Sequence, residues 1–361
     1  ETGAVLRRGL SYGLWIGLAA AVVLVIGGPP FLHILGLTPD LADGATGPLL
    51  IFSLSMPGYA FSVAASFWLE GMARPKPAAA MMWLANGVNL AVDLLLVPGT
   101  FGLPALGAVG GAWATTIART FLAVALLVYI ARMPEARELG VFDKPAGDRA
   151  AETEQRRIGY GAGASNFFEV ASFAGMNVVA GWIGGLAVAA FAITLNVAAI
   201  IFMVPLGLAT AAAVLVGRAY GARDMRAVER AGMVAFAVAI AFGVLVSLVV
   251  WPTAGLIAAG YTSDPGTLAM AAPAVALCCL FLIPDALQVV CAQALRARGD
   301  VWMPTVTHLA SYVLVMAPLA WWLAIPMKMG VNGIIWAIVA ASFLSAGLLL
   351  ARFRILTLRG R

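Results

Sequence analysis

The run AVALCCLFLIPDALQVVCAQALRARGD, residues 274–300, is apolar for most of its length and is interrupted near the middle by Pro284 and Asp285. If it crosses a bilayer, the carboxylate at its centre costs roughly 2.5–3.5 kcal/mol on insertion scales. Composition settles that condition. The chain has 361 residues, of which 62% are hydrophobic and 11% charged, and its mean hydropathy is +0.97. A soluble domain of this length has no interior large enough for that much apolar surface, so the chain reads as a membrane protein. Something inside the membrane must then offset the cost of Asp285.

About ten hydrophobic stretches are long enough to span, near 10–28, 46–70, 79–98, 107–131, 158–181, 186–216, 229–257, 268–295, 303–325 and 331–354. Their continuous apolarity predicts helices and excludes the alternating pattern of a membrane β-barrel. The connecting loops alternate in charge. Arg7 and Arg8, Arg74 and Lys76, the six basic residues from Arg132 to Arg157, Arg218 to Arg230, Arg296 with Arg298, and Arg352 to Arg361 form one set. The loops between them, near 33–46, 98–106, 181–185 and 258–267, contain no Lys or Arg. Of 22 basic residues, Lys328 alone lies in the second set of loops, and Arg119 lies inside a span. This asymmetry predicts a multi-pass protein of the inner (plasma) membrane with its basic loops and C-terminus in the cytoplasm. The net charge of +5 is then a matter of topology, not a nucleic-acid surface.

The two halves of the chain resemble each other. LGAVGGAWATTIAR (106–119) and MGVNGIIWAIVAAS (329–342) share G-x-x-G-x-x-W-A, at Gly107, Gly110, Trp113 and Ala114 and at Gly330, Gly333, Trp336 and Ala337. Pro57 and Pro77 correspond to Pro284 and Pro304, and GLTPD (36–40) to GYTSD (260–264). In this register the second half carries six spans and the first half begins at its third. The expectation is an all-α polytopic protein of two six-helix lobes, with the first two helices missing from this chain. Residues 1–131 form the incomplete first lobe, 132–157 a polar cytoplasmic linker, and 158–361 the second lobe. Internal repeats of this kind are common in secondary transporters.

Few acidic residues lie within spans: Asp93, Glu169 and Asp285, with Glu70 at a cytoplasmic helix end. Asp285 reads either as part of an ion or substrate pathway or as the cap of a helix segment restarting after Pro284. The first reading is favoured, because a helix broken at Pro284 frees carbonyls for a cation and Gln288 and Cys291 extend a polar strip. Glu169 lies in the first span of the second half with Ser165, Asn166, Ser172 and Asn177 around it, and Asn196 is the one amide of the next span. Two carboxylates and several amides from three helices are thus expected to share a wet pocket able to hold a proton or Na⁺. Asn86, Asn89 and Asp93 share one face of their helix, and Arg119 on the following helix is expected to neutralise Asp93. His33 and His308 read as packing or interface residues, and Cys278, Cys279 and Cys291 as core. The chain contains no G-x-x-x-x-G-K-[ST], H-E-x-x-H or G-x-S-x-G pattern, so neither an ATPase nor a hydrolase is expected, and transport would draw on an ion gradient.

FFEV (167–170), NVAAIIFMVPLGLATAAAVLVGRAYGARD (196–224), DALQVVCAQALRARGD (285–300) and LEGMARPKPAAAMMWLANGVNLAVD (69–93) together resemble the multidrug and toxic compound extrusion family, most closely its NorM-type branch. The resemblance implies a monomeric twelve-helix antiporter with a V-shaped cavity, embedded in lipid, that exports organic and often cationic drugs in exchange for Na⁺ or H⁺ and needs no cofactor. It places Glu169 and Asp285 on the second-lobe acids implicated in cation binding, with Na⁺ as one candidate occupant, and Asn196 on a matching polar position. Asn166, Gln288 and Asp93 are secondary candidates. A related flippase for a lipid-linked substrate is the alternative; it would require a strongly cationic cavity.

Overall fold

The computed structural model describes residues 2–34, 39–102, 104–143 and 148–359. Apart from a short 3₁₀ turn at Thr100–Gly102, the regular structure among them is eleven helices. The first unit, Glu1–Glu152, contains α1 (Thr2–Ile34), α2 (Pro39–Leu54), α3 (Met56–Gly71), α4 (Pro75–Leu96) and α5 (Ala108–Ala131). The second, Thr153–Arg361, contains most of α6 (Arg149–Ile183), then α7 (Gly185–Gly221), α8 (Met225–Tyr261), α9 (Pro265–Ala297), α10 (Trp302–Ala324) and α11 (Gly330–Arg359). Among the described residues eight helices are long and apolar enough to cross a membrane, or nine if α2 and α3 count as one bent span. The remaining expected span coincides with α6, which Ser165, Asn166, Glu169, Ser172 and Asn177 make too polar to meet that criterion.

The shared motif does the same work in both units. Gly107 and Gly330 stand just before or at the start of α5 and α11 with φ of 52° and 60°, a left-handed turn that L side chains resist. One turn on, a Cβ on Gly110 would lie 2.8 Å from the Leu96 backbone, and one on Gly333 2.7 Å from that of Leu323. Each glycine therefore lets its helix cross the end of the preceding one at backbone contact. Ala114 and Ala337 are buried, whereas Trp113 and Trp336 face outward. Pro77 and Pro304 both occupy a first helical turn, where proline removes no needed donor. Of the GLTPD half of the other sequence match, residues 36–38 fall outside the described residues.

The proline pair does not behave alike. Before Pro57 the chain bends by 42° at Ser55. At Pro284 the expected break is absent: α9 runs unbroken from Pro265 to Ala297, and Asp285 is not a cap. At that level α8 closes against α9, as α1 closes against α3 at Pro57, where a Cβ on Gly17 would lie 2.7 Å from the Pro57 Cα. A Cβ on Gly243 would lie 2.9 Å from the Ile283 Cα, and Ser247 donates to the Cys279 carbonyl at 3.0 Å. A neighbouring hydroxyl thus bonds the carbonyl next to that of Leu280, the one that loses its helical donor to Pro284.

Apolar packing in the second unit divides at the same height. One cluster takes the α9 residues up to Leu282, together with α7 from Ala187 to Ala198. The other begins at Ala286 and includes α7 from Ala209 to Val216. Pro284 and Asp285 sit in the layer between. All three cysteines are buried and unbridged within these clusters, and Cys291 belongs to the apolar core instead of extending a polar strip. In the first unit residues 132–143 fold back on the helices. Met133 and Ala136 pack beside Leu69 and Leu126, Arg7 donates to the Gly140 carbonyl, and Arg74 pairs with Glu135 at 2.8 Å.

Candidate functional site

The polar layer of the second unit is assembled by three helices whose side chains recur at helical spacing. On α9 Asp285 and Gln288 are one turn apart, and Arg296 lies on the same stripe two turns further on. α6 presents Ser165 and Glu169 at i, i+4, and α10 presents His308 and Tyr312, also at i, i+4. The sequence alone marks α10 as an ordinary span, but its residues Leu309–Met316 form a π-helical stretch, a wider turn that is common at functional positions. That stretch begins directly after His308 and contains Tyr312.

A single amide ties the two carboxylates together. Gln288 Nε2 donates to Glu169 Oε1 at 3.1 Å and to Asp285 Oδ1 at 3.4 Å. Asp285 is 7% exposed and Gln288 is fully buried, whereas the Glu169 side chain is 18% exposed. Two acids joined through one donor inside bilayer-length helices form an electrostatically unbalanced pair, because a low-dielectric surrounding magnifies their repulsion. Asp285 thus belongs to a shared polar site, not to an isolated helix face, and the Gln288 hydrogen bond offsets part of its cost.

His308 is 2% exposed and lies with Nδ1 2.9 Å from Ser165 Oγ and 3.8 Å from Glu169 Oε2. Arg296 donates to Ser165 Oγ at 2.7 Å. Neither residue was singled out for this site by the sequence: Arg296 reads there as a cytoplasmic loop charge, and His308 as packing. The spacing of Arg296 from Gln288 was the available signal, whereas nothing in the sequence pairs His308 with Glu169. Tyr312 is buried against Ser342 and Ser345 of α11. Several buried polar atoms of this region lack a hydrogen-bond partner: Gln288 Oε1, His308 Nε2, and the hydroxyls of Ser311, Tyr312, Ser342 and Ser345. Such atoms are ordinarily satisfied by ordered water or a bound ion. Among the described residues no group of three or more His, Cys, Asp or Glu gathers in the manner of a dedicated metal centre. An ion held here would take its remaining oxygens from amide, hydroxyl and water.

Other candidates lie elsewhere. Asn196 is exposed and accepts from the Tyr261 hydroxyl at 2.8 Å, at the end of α8 and away from the Gln288 bridge. Asn166 is exposed on α6. In the first unit, with its amide turned to satisfy both ends, Asn89 donates to Asp93 Oδ2 at 3.2 Å. Arg119 does not neutralise Asp93 as expected. Its guanidinium donates to Ser55 Oγ at 2.8 Å and stacks 4.6 Å from the Phe52 ring and 4.8 Å from that of Tyr59. The bend at Ser55 places those acceptors against α5, and the aromatic faces hold the cation.

Beside the polar layer a groove of about 640 Å³ runs between α6 and α10. Phe167, Phe168, Met176, Trp182 and Trp321 line it, so it offers a broad aromatic and apolar surface along the two helices that carry Glu169 and His308.

A family model described as MatE matches residues 1–95 and 162–322. A protein of Caulobacter vibrioides named "Probable multidrug resistance protein NorM" is 64% identical over 361 residues, which is 100% of this chain and 77% of that protein. A protein of the same name from Bradyrhizobium diazoefficiens is 32% identical over 98% of this chain and 78% of its own length. Among solved structures, the eukaryotic MATE transporter AtDTX14 superposes with a TM-score of 0.89 at 18% identity, covering 100% of this chain and 81% of the other. At that identity the likeness concerns the fold.

Proposed function

The chain belongs to the MatE family, and from that premise we propose that it is an inner-membrane antiporter exporting organic, often cationic compounds in exchange for Na⁺ or H⁺. The observation that carries this reading is the bridge from Gln288 to Glu169 and Asp285, two acids held together within bilayer-length helices. The relatives' names, which specify multidrug resistance, support the substrate class.

The mechanism is alternating access. A cation entering from outside occupies the carboxylate pair, relieves its repulsion and favours the state that releases drug. Its departure to the cytoplasm restores the pair and the drug-accepting state. Coupling requires that cation and drug favour different states, since a ligand with equal affinity for both shifts nothing. For a neutral drug, one monovalent charge crossing 100 mV supplies about 2.3 kcal/mol, or roughly a fifty-fold drug gradient. One-for-one exchange with a monovalent cationic drug is electroneutral and draws on the concentration gradient of the coupling ion. The loop charges put the C-terminus in the cytoplasm, and the protein works as a monomer in lipid. Export of a lipid-linked pyrophosphate would call for several converging bases, and here two acids face one guanidinium.

The test uses the full-length protein in proteoliposomes, with ethidium as the fluorescent organic cation and Na⁺ and pH gradients imposed separately. Wild-type protein should accumulate ethidium against its gradient under at least one of them. Asp285→Asn should abolish this while ethidium still protects the protein from thermal unfolding. Gradient-driven transport at the wild-type rate in Asp285→Asn would remove the pair from the mechanism.

A further inference from the structure

The basic residues at the end of α9 read from sequence as topological charges, yet the two arginines there do different things. Arg298 turns to α11, donating to Thr357 Oγ1 at 2.7 Å. Arg296 turns inward along the Asp285–Gln288 stripe. Side chains on a helix lean toward its N-terminus, which for Arg296 means back toward the carboxylates. One guanidinium nitrogen donates to Ser165 Oγ at 2.7 Å, one turn from Glu169 on α6, and another to Gln293 Oε1 at 3.3 Å. Its Nε is buried without a partner. Ser165 thus brings the Arg296 guanidinium to the face of α6 that carries Glu169, whereas the side-chain hydrogen bond found at Asp285 among the described residues comes from the neutral Gln288 amide.

We propose that Arg296 is a built-in counter-cation for Glu169, and that its presence limits the carboxylate pair to one monovalent coupling cation per transport cycle. The inference rests on the reading of the pair as the coupling site. The charged and titratable groups around the pair are Glu169 from α6, Asp285 and Arg296 from α9, and His308 and Tyr312 from α10, while α11 adds only the hydroxyls of Ser342 and Ser345. Arginine keeps its charge in proteins. Ser165 accepts from Arg296, and with its own proton assigned to His308 Nδ1 the imidazole is counted as neutral. Two carboxylates and one guanidinium then leave a single uncompensated negative charge. One bound cation neutralises the site, and a second would leave a buried positive charge, which a low-dielectric surrounding disfavours. The vacancy falls at Asp285, where the free Gln288 Oε1 stands ready as a neutral ligand.

Stoichiometry tests this directly. In proteoliposomes with the membrane potential clamped at zero, an ethidium gradient is opposed by a gradient of the coupling cation, and the ratios at which net flux vanishes are found. The slope of log ethidium ratio against log cation ratio counts cations per ethidium. Wild type should give a slope of about one. Arg296→Gln, with two uncompensated acids, should give about two, and Arg296→Lys should return it to about one. A wild-type slope of two overturns the proposal, as does Arg296→Gln transporting with a slope of one. If Arg296→Gln fails to transport, the wild-type slope and that of Arg296→Lys decide: one in both upholds the proposal, and two in either overturns it. Failure of the underlying reading looks different, because Asp285→Asn would then keep coupled flux at the wild-type slope.

Discussion

Aspartates at or near helix starts show how context decides what a carboxylate does. Asp285 follows a proline and so carries one mark of a cap, but capping is done by others, among them Asp224 and Asp264, which accept from the Ala227 and Thr267 amides at 3.0 and 2.7 Å. Both stand in short turns between two helices, at the first residue before a new helix begins. Asp285 has a full helix on either side. Asp264 lies outside the spans, and the Thr267 amide holds its carboxyl below the ordinary aspartate range. A depressed folded value means that the stabilisation is present above the unfolded range, near pH 4, and is lost as pH falls through the lower folded value. Acidification should therefore fray the first turn of α9 only below about pH 4. Hydrogen exchange in detergent should show the Thr267 and Leu268 amides losing protection there in wild type, and at neutral pH already in Asp264→Ala. Equal protection in the two proteins would remove the capping role.

At the scale of the helix, apolar length made the number and order of the spans readable, and the shared glycine–tryptophan motif revealed the internal repeat. The different fates of Pro57 and Pro284 stayed hidden because nothing local in the sequence separates them. The contacts at both come from distant parts of the chain: Gly17 on α1 meets the Pro57 backbone as Gly243 meets that of Ile283. Gly243 on α8 lets that helix brace α9, a contact made 40 residues away in the chain. The π stretch of α10 was hidden for the same reason, and with it the approach of His308 to Glu169. Packing at the repeated glycines gives a direct check. Alanine at Gly110 or Gly333 would place a Cβ at 2.8 or 2.7 Å from backbone atoms that cannot rotate away. Overpacking of this kind costs about 1–3 kcal/mol, so each variant should lower the apparent Tm in detergent. Gly347, also within α11, has nothing within 4 Å of its would-be Cβ. Alanine there should hold or raise Tm, by up to about 1 kcal/mol of helix propensity. Equal losses at Gly333 and Gly347 would show that the motif glycines serve flexibility and not close approach.

For the molecule as a whole, the distribution of charge carries information that neither unit's internal packing does. Pairing among Arg74, Glu135 and their neighbours would be compatible with either orientation in a bilayer. The absence of Lys and Arg from the 258–267 loop, against four arginines between Arg218 and Arg230, favours one. The buried cysteines make this measurable without first removing them, since Cys278, Cys279 and Cys291 are at most 1% exposed. Cysteine placed singly at exposed Ser263, between α8 and α9, should react with a membrane-impermeant maleimide in intact cells once the outer membrane is opened. Cysteine at exposed Ala222, between α7 and α8, should react only after the inner membrane is permeabilised. The opposite pattern would invert the topology and, with it, the direction of the proposed exchange: the Arg296 end of α9 would then face the outside, and the exchange would run as uptake.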